Sequence, residues 1–106
     1  MPRITYIEST GRRHEVEAPI GISVMEAARQ HGIPGIVALC GGACACATCH
    51  VYVDAQWRTA LTPPEDMEEG MLDNAWQRRA GSRLSCQLPV TARMDGLLVE
   101  IPERQV

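Results

Sequence analysis

Phenylalanine and lysine are both missing from this 106-residue chain, and aromatic side chains make up only 4% of it. No apolar run approaches the ~18 residues that read as a membrane helix, so no span is expected. The start of the chain, Met1-Pro2-Arg3 followed by alternating residues, lacks the apolar stretch of a secretory signal, and a cytoplasmic protein is expected. A formal charge of −3 with so few aromatics argues against nucleic-acid binding. All ten basic residues are arginine, which carries no functional signal in itself. The length suits one domain, residues 1–106, and a monomer is expected. A domain this small buries a modest core, so an internal staple such as a metal would help it.

Cysteine is the residue in excess. Five in 106 is high, and the count is odd. A disulfide framework calls for an even count and a secretory signal. Metal or cluster ligation is therefore the better reading.

Local patterns give the organisation. Ile4 to Glu8 and Arg12 to Ala18 both alternate, and Ser9-Thr10-Gly11 supplies turn chemistry between them, which predicts a β-hairpin. Ser23-Val24-Met25-Glu26 fits a capping box. Val24, Ala27, Ala28 and His31 then fall on one face of a helix that Gly32 and Pro34 end. Gly35 to Thr48 has neither helix nor strand period and reads as a loop. His50 to Asp54 predicts a short strand, and Thr62-Pro63-Pro64 announces a second helix. On that helix Met67, Met71 and Ala75 form one face, and Glu65, Asp66, Glu69 and Asp73 another. Arg83 to Gln87 and Leu97 to Ile101 read as the last two strands. Five strands with helices between them predict an α+β fold with a mixed sheet.

The cysteine spacing narrows the chemistry. Five residues separate Cys40 from Cys46, two separate Cys46 from Cys49, and 36 separate Cys49 from Cys86; Cys44 also lies in the loop. The plant-type and the bacterial four-iron spacings both fail, and a zinc site would show a second pair near Cys86. What remains is three thiolates on one loop with a distant fourth. A 2Fe-2S cluster concentrates negative charge in a small volume, and converging backbone N–H groups offset it without adding bulk. Gly41, Gly42, Ala43, Ala45 and Ala47 let a backbone wrap that closely.

The run from Cys40-Gly41-Gly42-Ala43-Cys44 through Cys46-Ala47-Thr48-Cys49-His50-Val51-Tyr52-Val53 resembles the cluster loop of adrenodoxin/putidaredoxin-type 2Fe-2S ferredoxins. The likeness continues in Arg83-Leu84-Ser85-Cys86-Gln87 and in the tail from Val99 to Gln105. It implies a β-grasp fold and a one-electron carrier with no catalytic residue of its own. By position, Cys40, Cys46, Cys49 and Cys86 match the family's four ligands, with Cys49 and Cys86 on the inner iron. Cys44 is left over as a spare thiol. His50 is expected to be hydrogen-bonded near the loop.

Charge supports a docking role. Glu65, Asp66, Glu68, Glu69 and Asp73 concentrate −5 within residues 65–73, leaving the rest of the chain at +2. A solvated helix face would look the same, but the resemblance implies that this helix docks the partners, a flavin-dependent NAD(P)H ferredoxin reductase and a cytochrome P-450 monooxygenase. Gly35, Leu39 and the final Val106 depart from putidaredoxin-like members at positions used for partner choice. The competing readings are a ferredoxin for iron–sulfur cluster assembly, which the extra Cys44 favours, and a structural zinc module.

Overall fold

The chain opens with the hairpin. Strand β1 (Arg3–Ile7) pairs antiparallel with β2 (Arg13–Glu17), with Ile4 opposite Val16 and Tyr6 opposite His14. Gly11 takes a φ of +94°, a left-handed conformation that a glycine adopts without strain. The computed structural model describes residues 1–33, 49–73 and 75–103. The loop expected over Gly35 to Thr48, with Cys40, Cys44, Cys46 and Leu39, lies outside the described residues, as do Pro34 and Val106.

Helix α1 (Val24–Gln30) starts where the capping box placed it, with the Ser23 hydroxyl accepting the Glu26 N–H at 3.0 Å. Its end is a Schellman motif. Gly32 turns left-handed at φ +65°, Ile33 N–H donates to Ala28 O at 2.9 Å, and Gly32 N–H donates to Arg29 O at 3.1 Å. His31 is therefore the exposed cap rather than part of the apolar face; Met25 joins Val24, Ala27 and Ala28 in the core instead.

Strand β3 (His50–Val53) is buried along its whole length, as a central strand covered on both faces should be. Strands β4 (Ser82–Leu84) and β5 (Leu97–Glu100) complete a sheet of order β2-β1-β5-β3-β4 among the described residues. The β1–β5 pair is parallel and the other pairs are antiparallel, so the predicted mixed sheet is present. Ile4, Tyr6, Val51, Leu84, Leu97 and Val99 form the centre of the core beneath α1. Tyr6 is the largest fully buried side chain, and its hydroxyl donates to Val24 O at 2.6 Å, tying the first strand to the start of α1.

Two elements differ from the sequence expectation. Helix α2 (Asp66–Leu72) buries Leu72 and Glu68; of the expected face, Met71 and Ala75 pack half-buried against the core, Ala75 from beyond the helix, while Met67 is 67% exposed. The segment expected as a strand over Arg83 to Gln87 stops at Leu84 and continues as a 3-10 turn, Ser85–Gln87. Two further 3-10 turns, Ala55–Trp57 and Ala92–Met94, are too short to leave a period in the sequence.

Candidate metal centre

Cys49 precedes β3 and Cys86 follows β4, so sheet pairing brings their backbones together. In the β3–β4 register His50 lies opposite Leu84, which places Ser85 beside Cys49. Ser85 fixes that junction, donating its N–H at 3.0 Å and its hydroxyl at 2.7 Å to Cys49 O. Had the strand continued, Cys86 would have alternated to the other face. The 3-10 turn instead swings its side chain back, and Cys86 Sγ lies 3.3 Å from Cys49 Sγ.

That distance is far beyond a disulfide bond of about 2.05 Å. A tetrahedral metal with thiolate bonds of about 2.3 Å holds two sulfurs roughly 3.8 Å apart. Two soft donors, one fully buried and one half-buried, thus converge at a separation close to that of a shared metal ion. They fit one side of a cluster. Among the described residues no group of three or more Cys, His, Asp or Glu side chains could hold a metal, so a closed zinc site is not built from them. Gln87, exposed beside the pair, donates from Nε2 to Cys86 Sγ at 3.5 Å. This amide is not among the candidate residues in the sequence, where its one signal is its position directly after a candidate ligand.

His50, the first residue of β3, is fully buried. Its Nε2 lies 2.8 Å from Ser82 Oγ, and its ring meets Tyr52 edge-on at 4.8 Å. Burial, helped by the positive charges of Arg78 and Arg79, lowers its pKa to about 4. The imidazole is neutral at physiological pH and acts here as a hydrogen-bonding element of the core.

The five acids of the second candidate site separate into distinct environments. Glu65 and Asp66 are exposed at the start of α2. Glu69 and Asp73 share Arg78, whose Nη atoms lie 2.6 Å from each carboxylate; these contacts raise the Arg78 pKa and keep it charged. Glu68 corrects the sequence expectation. It is 3% exposed, receives Arg83 and the Leu84 N–H, and is not available on the surface for docking. A fully buried carboxylate needs this pairing to tolerate desolvation.

Comparison with known proteins agrees with this geometry. Residues 7–91 match the family model for the 2Fe-2S iron-sulfur cluster binding domain. Rhodocoxin of Rhodococcus erythropolis is 50% identical over 107 residues, covering 100% of both chains. The crystal structure of a ferredoxin from Rhodopseudomonas palustris HaA2 superposes with a TM-score of 0.96 at 50% identity, covering 99% of this chain and 100% of that one. A putidaredoxin chain in a covalent complex with putidaredoxin reductase superposes with a TM-score of 0.91 at 39% identity, covering 96% and 99%.

A mixed β-grasp sheet, two thiols converging at the adjoining ends of β3 and β4, and the family match together define a small iron–sulfur electron carrier. The chain belongs to the putidaredoxin-type 2Fe-2S ferredoxins. It binds one 2Fe-2S cluster, transfers single electrons and has no catalytic activity of its own. The cluster supplies the redox chemistry, and the chain supplies ligation, hydrogen bonds and a docking face. No helix among the described residues is long and apolar enough to cross a membrane.

Proposed function

We propose that residues 1–106 act as one carrier domain, taking electrons from a flavin-dependent NAD(P)H ferredoxin reductase and delivering them to a cytochrome P-450 monooxygenase. Cys40, Cys46, Cys49 and Cys86 hold the cluster. The observation that carries this assignment is the 3.3 Å approach of Cys49 and Cys86, the only two of the four that are described. Cys44 is a spare thiol in this reading. The cytoplasm is the compartment it assigns, since thiolates stay reduced there.

Glu65 and Asp66 are the exposed acids that meet partners, with Glu69 and Asp73 contributing through their shared Arg78. A charged face that buries little area suits a carrier that must leave each partner quickly. The relative solved with putidaredoxin reductase supports the reductase half of the assignment. Reconstitution with a flavin-dependent reductase and P-450 monooxygenases tests it: NAD(P)H-driven substrate oxidation that requires the ferredoxin is expected. Reduction of the ferredoxin without any transfer to a monooxygenase, together with support of cluster assembly, would favour the assembly function instead.

A further inference from the structure

The docking face is less acidic than the sequence of α2 suggests. Arg83 offsets Glu68, and Arg78 bridges Glu69 and Asp73, so two guanidinium groups compensate three of the five acids. Among the described residues no cation pairs with Glu65 or Asp66, and Glu65 borders a groove of about 310 Å³ together with the exposed Met67. Beyond Pro63 and Pro64 lies a cavity of about 510 Å³, between residues 58–64 and 78–83, whose one acidic lining residue, Glu69, is paired with Arg78.

Arg58 and Arg79 line that cavity, and among the described residues neither is bridged to a carboxylate. Both are nevertheless held in place. Arg58 Nε donates to Val53 O at 3.2 Å, and its guanidinium lies so close to Gly81 that a Cβ there would meet Nε at 2.7 Å. Arg79 stacks over the Tyr52 ring, 4.3 Å from its centroid. Each charge is positioned by contacts that do not neutralise it. Two held guanidinium-bearing side chains beside one solvent-open cavity supply the donor type that a carboxylate takes up in pairs.

We propose that the docking face is dipolar. Basic groups of the reductase meet Glu65 and Asp66 around Met67, and a carboxylate side chain of the same reductase enters the cavity between Arg58 and Arg79. This deepens the reductase assignment above and rests on it. Charges of both signs fix the rotation of the docked complex, which a single-signed patch leaves loose. The groove beside Glu65 also includes Gln87, the residue that touches Cys86 Sγ, so the fixed orientation sets the reductase against the cluster edge.

The test is steady-state reduction of the cluster-loaded protein by a flavin-dependent reductase that turns it over. Arg58→Gln, Arg79→Gln and their combination are compared with Arg13→Gln on β2, the strand at the opposite edge of the sheet. For the double variant KM for the ferredoxin is expected to rise about three- to tenfold, with kcat, visible spectrum and melting temperature kept. The single variants are expected to show part of this rise, and Arg13→Gln none. A uniformly acidic docking face predicts the opposite sign, since removing cations would tighten binding of a basic partner. A lowered or unchanged KM in the folded variants overturns the proposal. So does a rise confined to delivery to the monooxygenase. Failure of the unmodified protein to accept electrons from any flavin-dependent reductase strikes the reductase assignment itself, a distinguishable result.

Discussion

Arg83 grips Glu68 at two points, Nε to Oε2 at 2.7 Å and Nη2 to Oε1 at 3.0 Å, and a third donor, the Leu84 N–H, reaches Oε2 at 3.0 Å. The pair joins α2 to β4, two residues after which Cys86 sits at the cluster edge. Arg83 Nη1 also donates to Thr62 O at 2.6 Å, anchoring the loop that leads into α2. Helix, loop and ligand-bearing strand therefore share one buried ionic clamp.

Removing the Glu68 charge leaves a buried guanidinium without its counter-ion. Glu68→Ala is expected to cost about 3–5 kcal/mol of stability, whereas Glu65→Gln on the exposed side of the same helix costs less than about 0.5 kcal/mol. Thermal unfolding of the cluster-loaded variants, followed by circular dichroism, measures the difference. Equal melting temperatures for the two variants would show that the clamp contributes nothing.

Electron transfer from the reductase is expected to slow several-fold as salt rises from low to moderate concentration, because the docking charges are exposed and screened over about 10 Å at 0.1 M. Glu65→Gln and Asp66→Asn should flatten the profile, and an exposed acid remote from α2, such as Glu17, should not when neutralised. A rate independent of salt in the unmodified protein contradicts charge-guided docking.

Gln87 offers a test of potential rather than binding. Its amide donates to Cys86 Sγ at 3.5 Å, and donors to sulfur stabilise the reduced, more negative cluster. Gln87→Leu is expected to lower the reduction potential while keeping the cluster, as read by a potentiometric titration of visible absorbance. An unshifted potential would mean that the amide does not act on the sulfur.

Cysteine substitutions separate ligands from the spare thiol. Cys49→Ser and Cys86→Ser should lose the visible chromophore or damage it severely, and Cys44→Ser should retain it with full iron content. Iron analysis beside the absorption spectrum checks both. Retention in Cys86→Ser with loss in Cys44→Ser would reverse the ligand assignment.

Much of this fold was legible because its signals are local. The Ser9-Thr10-Gly11 turn between alternating strands, and Ser23 three residues before Glu26, each encode structure within a few residues, and the hairpin and α1 formed there. The face of α2 was not legible. Glu68 is buried only because Arg83, fifteen residues on, comes to it through the fold, so helical periodicity, which groups Met67, Met71 and Ala75, does not reveal it. The reversal at Ser85–Gln87 was hidden for a related reason: a three-residue turn leaves no period, and only the sulfur contact shows why the strand must end. The −5 of residues 65–73 is not one patch, because Arg78 and Arg83 pair with three of the acids from outside the helix and offset two of the five charges.

A reductive titration of the purified protein reads the 2Fe-2S cluster and its single electron in one experiment. A red-brown protein with two iron and two acid-labile sulfide per chain is expected, its visible bands bleaching reversibly on uptake of one electron. A colourless, zinc-loaded protein that takes up no electrons would contradict it.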